Sequence, residues 1–196
     1  MARKERVSRG WSMRPNFFVF CEGDTEVVYV EMLRSYYRLP IQIIAKKTLL
    51  NVTPELVERC KALYIQTTSD RTYLMYDLDV EGMLDRLKKV TDAVLLCSNP
   101  CFELWPLLHY TGVKAELSSM ICMKRLEAAL SGSRGVKQSV AGYKKGVLPL
   151  EMCSYLMEHW KEAAERAKVL AAYGNPSTTV YQLLEDMERV KYNIIP

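Results

Sequence analysis

Four short apolar runs, separated by segments with helical spacing, fill the first hundred residues and leave few folds open. FFVFCEG ends at Gly23, PIQIIAKK opens at Pro40, RTYLMYDLD closes at Asp79 and DAVLLCS ends at Ser98. Each is bounded by turn residues and too short to be a helix of its own, so each reads as a buried strand. Between them TEVVYVEMLRSYY, TPELVERCKALYIQTT and EGMLDRLKKV carry apolar residues at the spacing of an amphipathic helix. Asp24 or Thr25 can cap the first of these helices, and Thr53 before Pro54 is a start signal for the second. Strands alternating with such helices build a parallel sheet covered on both faces. The expected fold class is α/β, a Rossmann-like core with a central four-stranded, mostly parallel sheet. Right-handed crossovers place all strand C-termini along one edge, where ligand and metal sites of open α/β sheets collect.

Beyond residue 100 the strand signal fades. CFELWPLLHY, ICMKRLEAAL, PLEMCSYLMEHWKEAAERAKVLAA and TVYQLLEDMERV read as helices, with loops at SGSRGVKQSVAGYKKGV and YGNPST. Pro106 inside the first of them predicts a kink or a late start, because proline lacks the N–H that an interior helical residue donates. The expected organisation is a basic arm over 1–15, an α/β core over 16–112 and a helical extension over 113–196 packed on that core. No window offers the ~18 uninterrupted apolar residues of a membrane span, and the basic N-terminus runs straight into an acidic motif, which is unlike a signal peptide. Six cysteines without a CxxC pair or zinc spacing fit a reducing cytoplasm. The net charge of +4 is unevenly placed, with Arg3, Lys4, Arg6, Arg9 and Arg14 crowded at the start and Lys144–Lys145 beside Tyr143. Basic clusters are often solvated surface; for the N-terminal arm that reading weighs evenly against phosphate contact or docking on a partner.

The acids carry more information. CEGDTE puts Glu22 just after the first strand and Glu26 on the first turn of the helix that follows; Asp77 and Asp79 close the third strand; Glu103 follows the fourth in SNPCFE. Residues i and i+2 of a strand point to one side, which pairs Asp77 with Asp79 and makes a patch that a cation must offset. Three acidic loops on one sheet edge supply oxygen donors, which suit a hard cation such as Mg²⁺ or Mn²⁺ and metal-assisted phosphoryl chemistry. Taken singly, each acid also has a structural reading: Glu26 and Glu103 favour the positive end of a helix, and Asn99 before Pro100 is a conventional N-cap. No GxGxxG follows the first strand and no GxxxxGK[ST] is present, so dinucleotide and P-loop sites lack their glycines. His109 and His159 fall in predicted helices, with His109 the better placed to reach the site, and no GxSxG serine suggests a hydrolase triad.

A glutamate after the first strand and a DxD after the third resemble the Toprim pattern. Over most of its length, through VFCEGDTE, YDLD, SNPCFELWPLLHY, GYKKG and NPSTTVYQLLEDM, the chain resembles the RloB-like family of small bacterial Toprim proteins. That resemblance implies a Toprim-like core in which Glu22, Asp77 and Asp79 hold Mg²⁺ (or Mn²⁺) and Glu22, Glu26 and Glu103 serve as catalytic carboxylates. It also implies that Lys144 and Lys145 grip phosphate, with Asn99 and His109 lining the substrate site. The family's members resemble components of phage-defence loci encoded beside an ABC/AAA-type ATPase. The expected function is therefore a Mg²⁺-dependent nuclease on DNA or tRNA/RNA, an antiviral effector with an ATPase partner and no membrane attachment; self-association stays open. The alternative is a non-catalytic module that docks the ATPase or nucleic acid. Two departures stand out: Leu78 and Val80 flank Asp79 where relatives often carry charge, and Pro106 interrupts a usual helix.

Overall fold

The computed structural model describes residues 14–132 and 144–192; Trp11, Tyr143 and the basic arm apart from Arg14 lie outside the described residues. Its elements run β1 (Asn16–Cys21), α1 (Asp24–Tyr37), β2 (Gln42–Lys47), α2 (Pro54–Lys61), β3 (Arg71–Asp77), α3 (Met83–Leu87), β4 (Ala93–Asn99), α4 (Leu104–Tyr110), α5 (Ser119–Gly132), α6 (Leu150–Lys168), β5 (Ser177–Thr178) and α7 (Tyr181–Lys191). They form a five-stranded sheet in the order β2-β1-β3-β4-β5, parallel except for β5. The expected α/β class is present, with one strand more than expected.

Strand alternation divides the interior into two cores. Phe17, Val19 and Cys21 of β1 join Tyr73 and Met75 of β3 in a core shared with α1, α4, α5, α6 and α7. Phe18, Phe20, Leu74 and Tyr76 face the other way, against Val57 of α2 and Met83 and Leu87 of α3. The same parity explains Leu78, which packs against the second core instead of facing the sheet edge. Odd-numbered Asp77 continues the α1/α4 side.

The remaining differences from the sequence reading have local causes. α2 stops at Lys61, because Leu63 and Ile65 find no core to face while Tyr64 turns its ring edge-on to Phe18 at 5.6 Å. β3 ends at Asp77, so Asp79 stands beyond the strand and exposed. α4 starts late, at Leu104, which puts Pro106 in the first turn, where its missing N–H has no helical partner to lose. Its N-cap is Glu103 and not Asn99, which belongs to β4. The fifth strand comes from the NPST stretch expected as loop. Ser177 and Thr178 pair with Asn99 and Ser98, and the Thr179 hydroxyl accepts from the Cys97 amide at 2.9 Å while donating to the Leu95 carbonyl at 2.7 Å. A side chain thereby supplies rungs that the backbone does not.

Candidate active site

The parallel strands end together, and the side chains after them surround a cleft of about 290 Å³ lined by Glu22, Glu26, Asp77, Glu103 and Lys145. Glu22 is fixed by the sheet itself. Its amide donates to the Met75 carbonyl at 3.1 Å, and its Oε2 accepts from the Asp77 amide at 3.0 Å, which ties the ends of β1 and β3. Glu26, on the first turn of α1, is buried and turns back over Gly23. A Cβ at Gly23 would stand 2.9 Å from Glu26 Oε2, so glycine there makes room for the carboxylate; its backbone is extended and needs no glycine. Glu103 enters from the N-terminus of α4, and α4 is pinned to α1 by the Trp105 Nε1–H donating to the Tyr29 hydroxyl at 2.7 Å.

Burial and mutual repulsion govern the charge state of this group. Asp77 is pushed up to about 9, by burial first and then by Glu26, Glu22 and Glu103, with Lys145 opposing. Burial also raises Glu26, to about 7, helped by Glu103 and Glu22 against its own backbone N–H and Lys145. Glu22 is raised by burial first and further by the charge of Asp79, against the hydrogen bond from the Asp77 amide; Asp79 itself is exposed and does not line the cleft. Asp77 Oδ1 is buried without a hydrogen-bond partner. A buried carboxylate oxygen in that position is a site for a proton or a cation.

The cation already present is Lys145. Its Nζ stands 3.6 Å from Glu103 Oε1, and its pKa is raised: burial would lower it, but Glu103, Asp77 and Glu26 outweigh that. The loop bearing it is docked by Gly146, whose N–H donates to Thr25 Oγ1 at 2.8 Å at a positive φ of 78° that favours glycine. At the outer rim Lys47 pairs with Asp24 at 2.7 Å. Gly23, Thr25, Gly146 and Lys47 were not legible as site residues, because their contributions are room, a docking hydroxyl and a rim charge.

Four of the expected site residues lie elsewhere or at the margin. Lys144 is exposed and does not line the cleft. Asn99 donates through Nδ2 to the Tyr173 carbonyl at 3.3 Å, which commits it to the turn before β5. His109 is buried in α4, its Nδ1 on the Trp105 carbonyl at 2.9 Å and its ring edge-on to Trp105; burial depresses it to about 3. Asp79 contributes charge from outside the strand. Among the described residues, no group of three or more His, Cys, Asp or Glu side chains is arranged to hold a metal ion. The donor set is all oxygen with an unpartnered buried atom, which suits a hard cation carried on one or two carboxylates and completed by water and substrate oxygens.

Fold and cleft together define an α/β protein with a carboxylate-rich site at the C-terminal edge of a parallel sheet. The model of the family described as RloB-like protein matches residues 17–187. The chain belongs to the RloB-like family. No curated protein and no solved structure matches it. No helix among the described residues is long and apolar enough to cross a membrane.

Proposed function

We propose that this chain is a Toprim-type, Mg²⁺-dependent nuclease that hydrolyses phosphodiesters of DNA or RNA as an effector of antiviral defence, working with a partner ATPase. The observation that carries the reading is the meeting of Glu22, Glu26, Asp77 and Glu103 in one cleft, with Asp77 Oδ1 buried and unpartnered. Asp77 and Glu22, with Asp79 two residues further on, are the residues that would hold the divalent cation. When bound, that cation would draw charge from the phosphate oxygens.

The chain's own groups supply the rest. Glu26, with a pKa near 7, accepts the proton of an attacking water and can return it to the leaving oxygen. The water oxygen bonds to phosphorus, the bond from phosphorus to the leaving oxygen breaks, and no redox partner is needed. Lys145 offers its ammonium to the phosphate, exchanging Glu103 for substrate. The test is incubation of purified protein with labelled DNA and total RNA in Mg²⁺, with and without the ATPase. Wild type cleaves and Asp77→Asn does not; full cleavage by Asp77→Asn sinks the metal-holding role.

A second reading has its own support. Among the described residues no three acids stand in ligating geometry, and Lys145 already offsets Glu103, as in a module that only docks nucleic acid or the ATPase. Calorimetric titration of the protein alone with Mn²⁺ separates the two. Saturable binding lost in Asp77→Asn favours the enzyme, and its absence favours the module.

A further inference from the structure

Beside the acidic cleft lies a second and larger one of about 620 Å³, which shares Lys47 and Leu49 with it. Its charged lining residues are all cations, Lys46, Lys47 and Arg59, and its apolar lining comes from Leu49, Leu56 and Leu63. Leu49 is held out by construction. The Thr48 amide before it donates to the Cys21 carbonyl at 2.9 Å, and the Leu50 carbonyl after it accepts from Arg86 Nη1 at 2.7 Å. Between these anchors Leu49 adopts a φ of 51°, uncommon for a branched residue, and remains half exposed. Leu63, across the opening, is 77% exposed. Apolar side chains beside cations suit an unpaired nucleotide, since the base packs between the apolar groups and the phosphates meet the cations. The volume falls within the range of ligand pockets, ~300–1,000 Å³.

We infer that this second cleft seats an unpaired nucleotide next to the phosphate held over the acids, so that the substrate is a single-stranded segment of nucleic acid and not intact duplex. The inference rests on the proposed nuclease reading and narrows its substrate class. A base can enter between Leu49 and Leu63 only when it is unstacked, which an intact duplex opposes. Lys47, on both walls, sits where the strand passes from one cleft to the other.

The experiment measures fluorescence anisotropy in chelator, so that nothing is cut, with a labelled mixed-sequence strand of about 12 nucleotides and the duplex of the same sequence. Wild type is expected to bind the strand at least about tenfold more tightly than the duplex. Arg59→Glu and Leu63→Ala, both at exposed positions, should each weaken strand binding about five- to tenfold. Val169→Ala, exposed at the end of α6, should leave it unchanged. Equal affinity for duplex, or wild-type binding by Leu63→Ala, overturns the nucleotide seat and leaves the nuclease reading standing. Loss in Arg59→Glu alone, with heparin competing as well as the strand, marks a polyanion patch and also overturns the seat. Absence of binding to both probes together with absence of cleavage in Mg²⁺ overturns the nuclease reading and the seat with it.

Discussion

At the start of β3, Asp186 reaches in from α7 and is met by Arg71 at 2.8 Å, Arg189 at 2.8 Å and the Tyr73 hydroxyl at 2.9 Å. At the end of the same strand, Asp77 is equally buried, shares its surroundings with three other carboxylates, and has one oxygen without a hydrogen-bond partner. Asp70, beside the first end, makes the contrast sharper. Burial alone would raise its pKa, but bonds from Asn16 and Thr67 hold it below the ordinary carboxylate range, whereas Asp77 is driven up to about 9. One end of the strand uses acids to fasten the fold, and the other accumulates acids that the fold does not satisfy. Perturbed acids of the second kind belong to sites.

Exchanging the charge at each end should break the comparison most plainly. Asp77→Asn is expected to lower cleavage by at least about 10²–10³-fold while raising the thermal midpoint at pH 8. Asp186→Asn is expected to do the reverse, losing about 2–3 kcal/mol, discounted for the one-third exposure of Arg71, with cleavage per folded molecule retained. Midpoints and single-turnover rates on both variants decide it; a stabilised Asp186→Asn would erase the distinction. Next in size, Glu26→Gln should lower the rate about 10²-fold or more and remove a limb of the pH–rate profile that rises through pH 7 in wild type. Retention of that limb would move the base elsewhere.

The linkage to stability comes next. Asp77 and Glu26 have folded pKa values, about 9 and about 7, above those of ordinary carboxyls. The folded state therefore holds more protons than the unfolded, so this cluster's contribution is fullest in acid and is lost as pH rises through 7 and 9. A divalent cation should accordingly raise the midpoint by several degrees at pH 8 and by less at pH 5, and Asp77→Asn should flatten that difference. The smallest effect is expected of Lys145→Met. It removes the cation that faces Glu103 from the cleft's edge, so the midpoint should fall by a degree or two at pH 8, with less change at pH 5, and KM should rise.

What could be read from residues alone follows the physics of each part. β1, β3 and β4 announced themselves because apolar runs bounded by turn residues have few alternatives, and the edge on which Glu22, Glu26, Asp77 and Glu103 meet followed from parallel topology. β5 was hidden because it is two residues long and leans on the Thr179 side chain, which leaves no period to detect. Strand parity correctly sides Asp77 with α1 and α4 but cannot say that the strand stops before Asp79. Lys145 stood out as half of a basic pair, but no spacing links it to acids far away in sequence, so its place among them was not legible. Asn99 looked available and is committed to the turn before β5, whereas His109 is buried in α4 with Nδ1 on the Trp105 carbonyl and Nε2 without a partner.

The late return of Ser177 and Thr178 to the sheet has a consequence for synthesis on the ribosome, where the chain emerges N-terminus first at about 5–20 residues per second. All four acids of the cleft are made before Lys145, and Lys145 before the strand that flanks β4. A nascent chain thus carries the acidic edge while its counter-charge and the sheet's last strand are still unmade. The order of translation delays the finished site until residues 145 to 178 have followed the acids out.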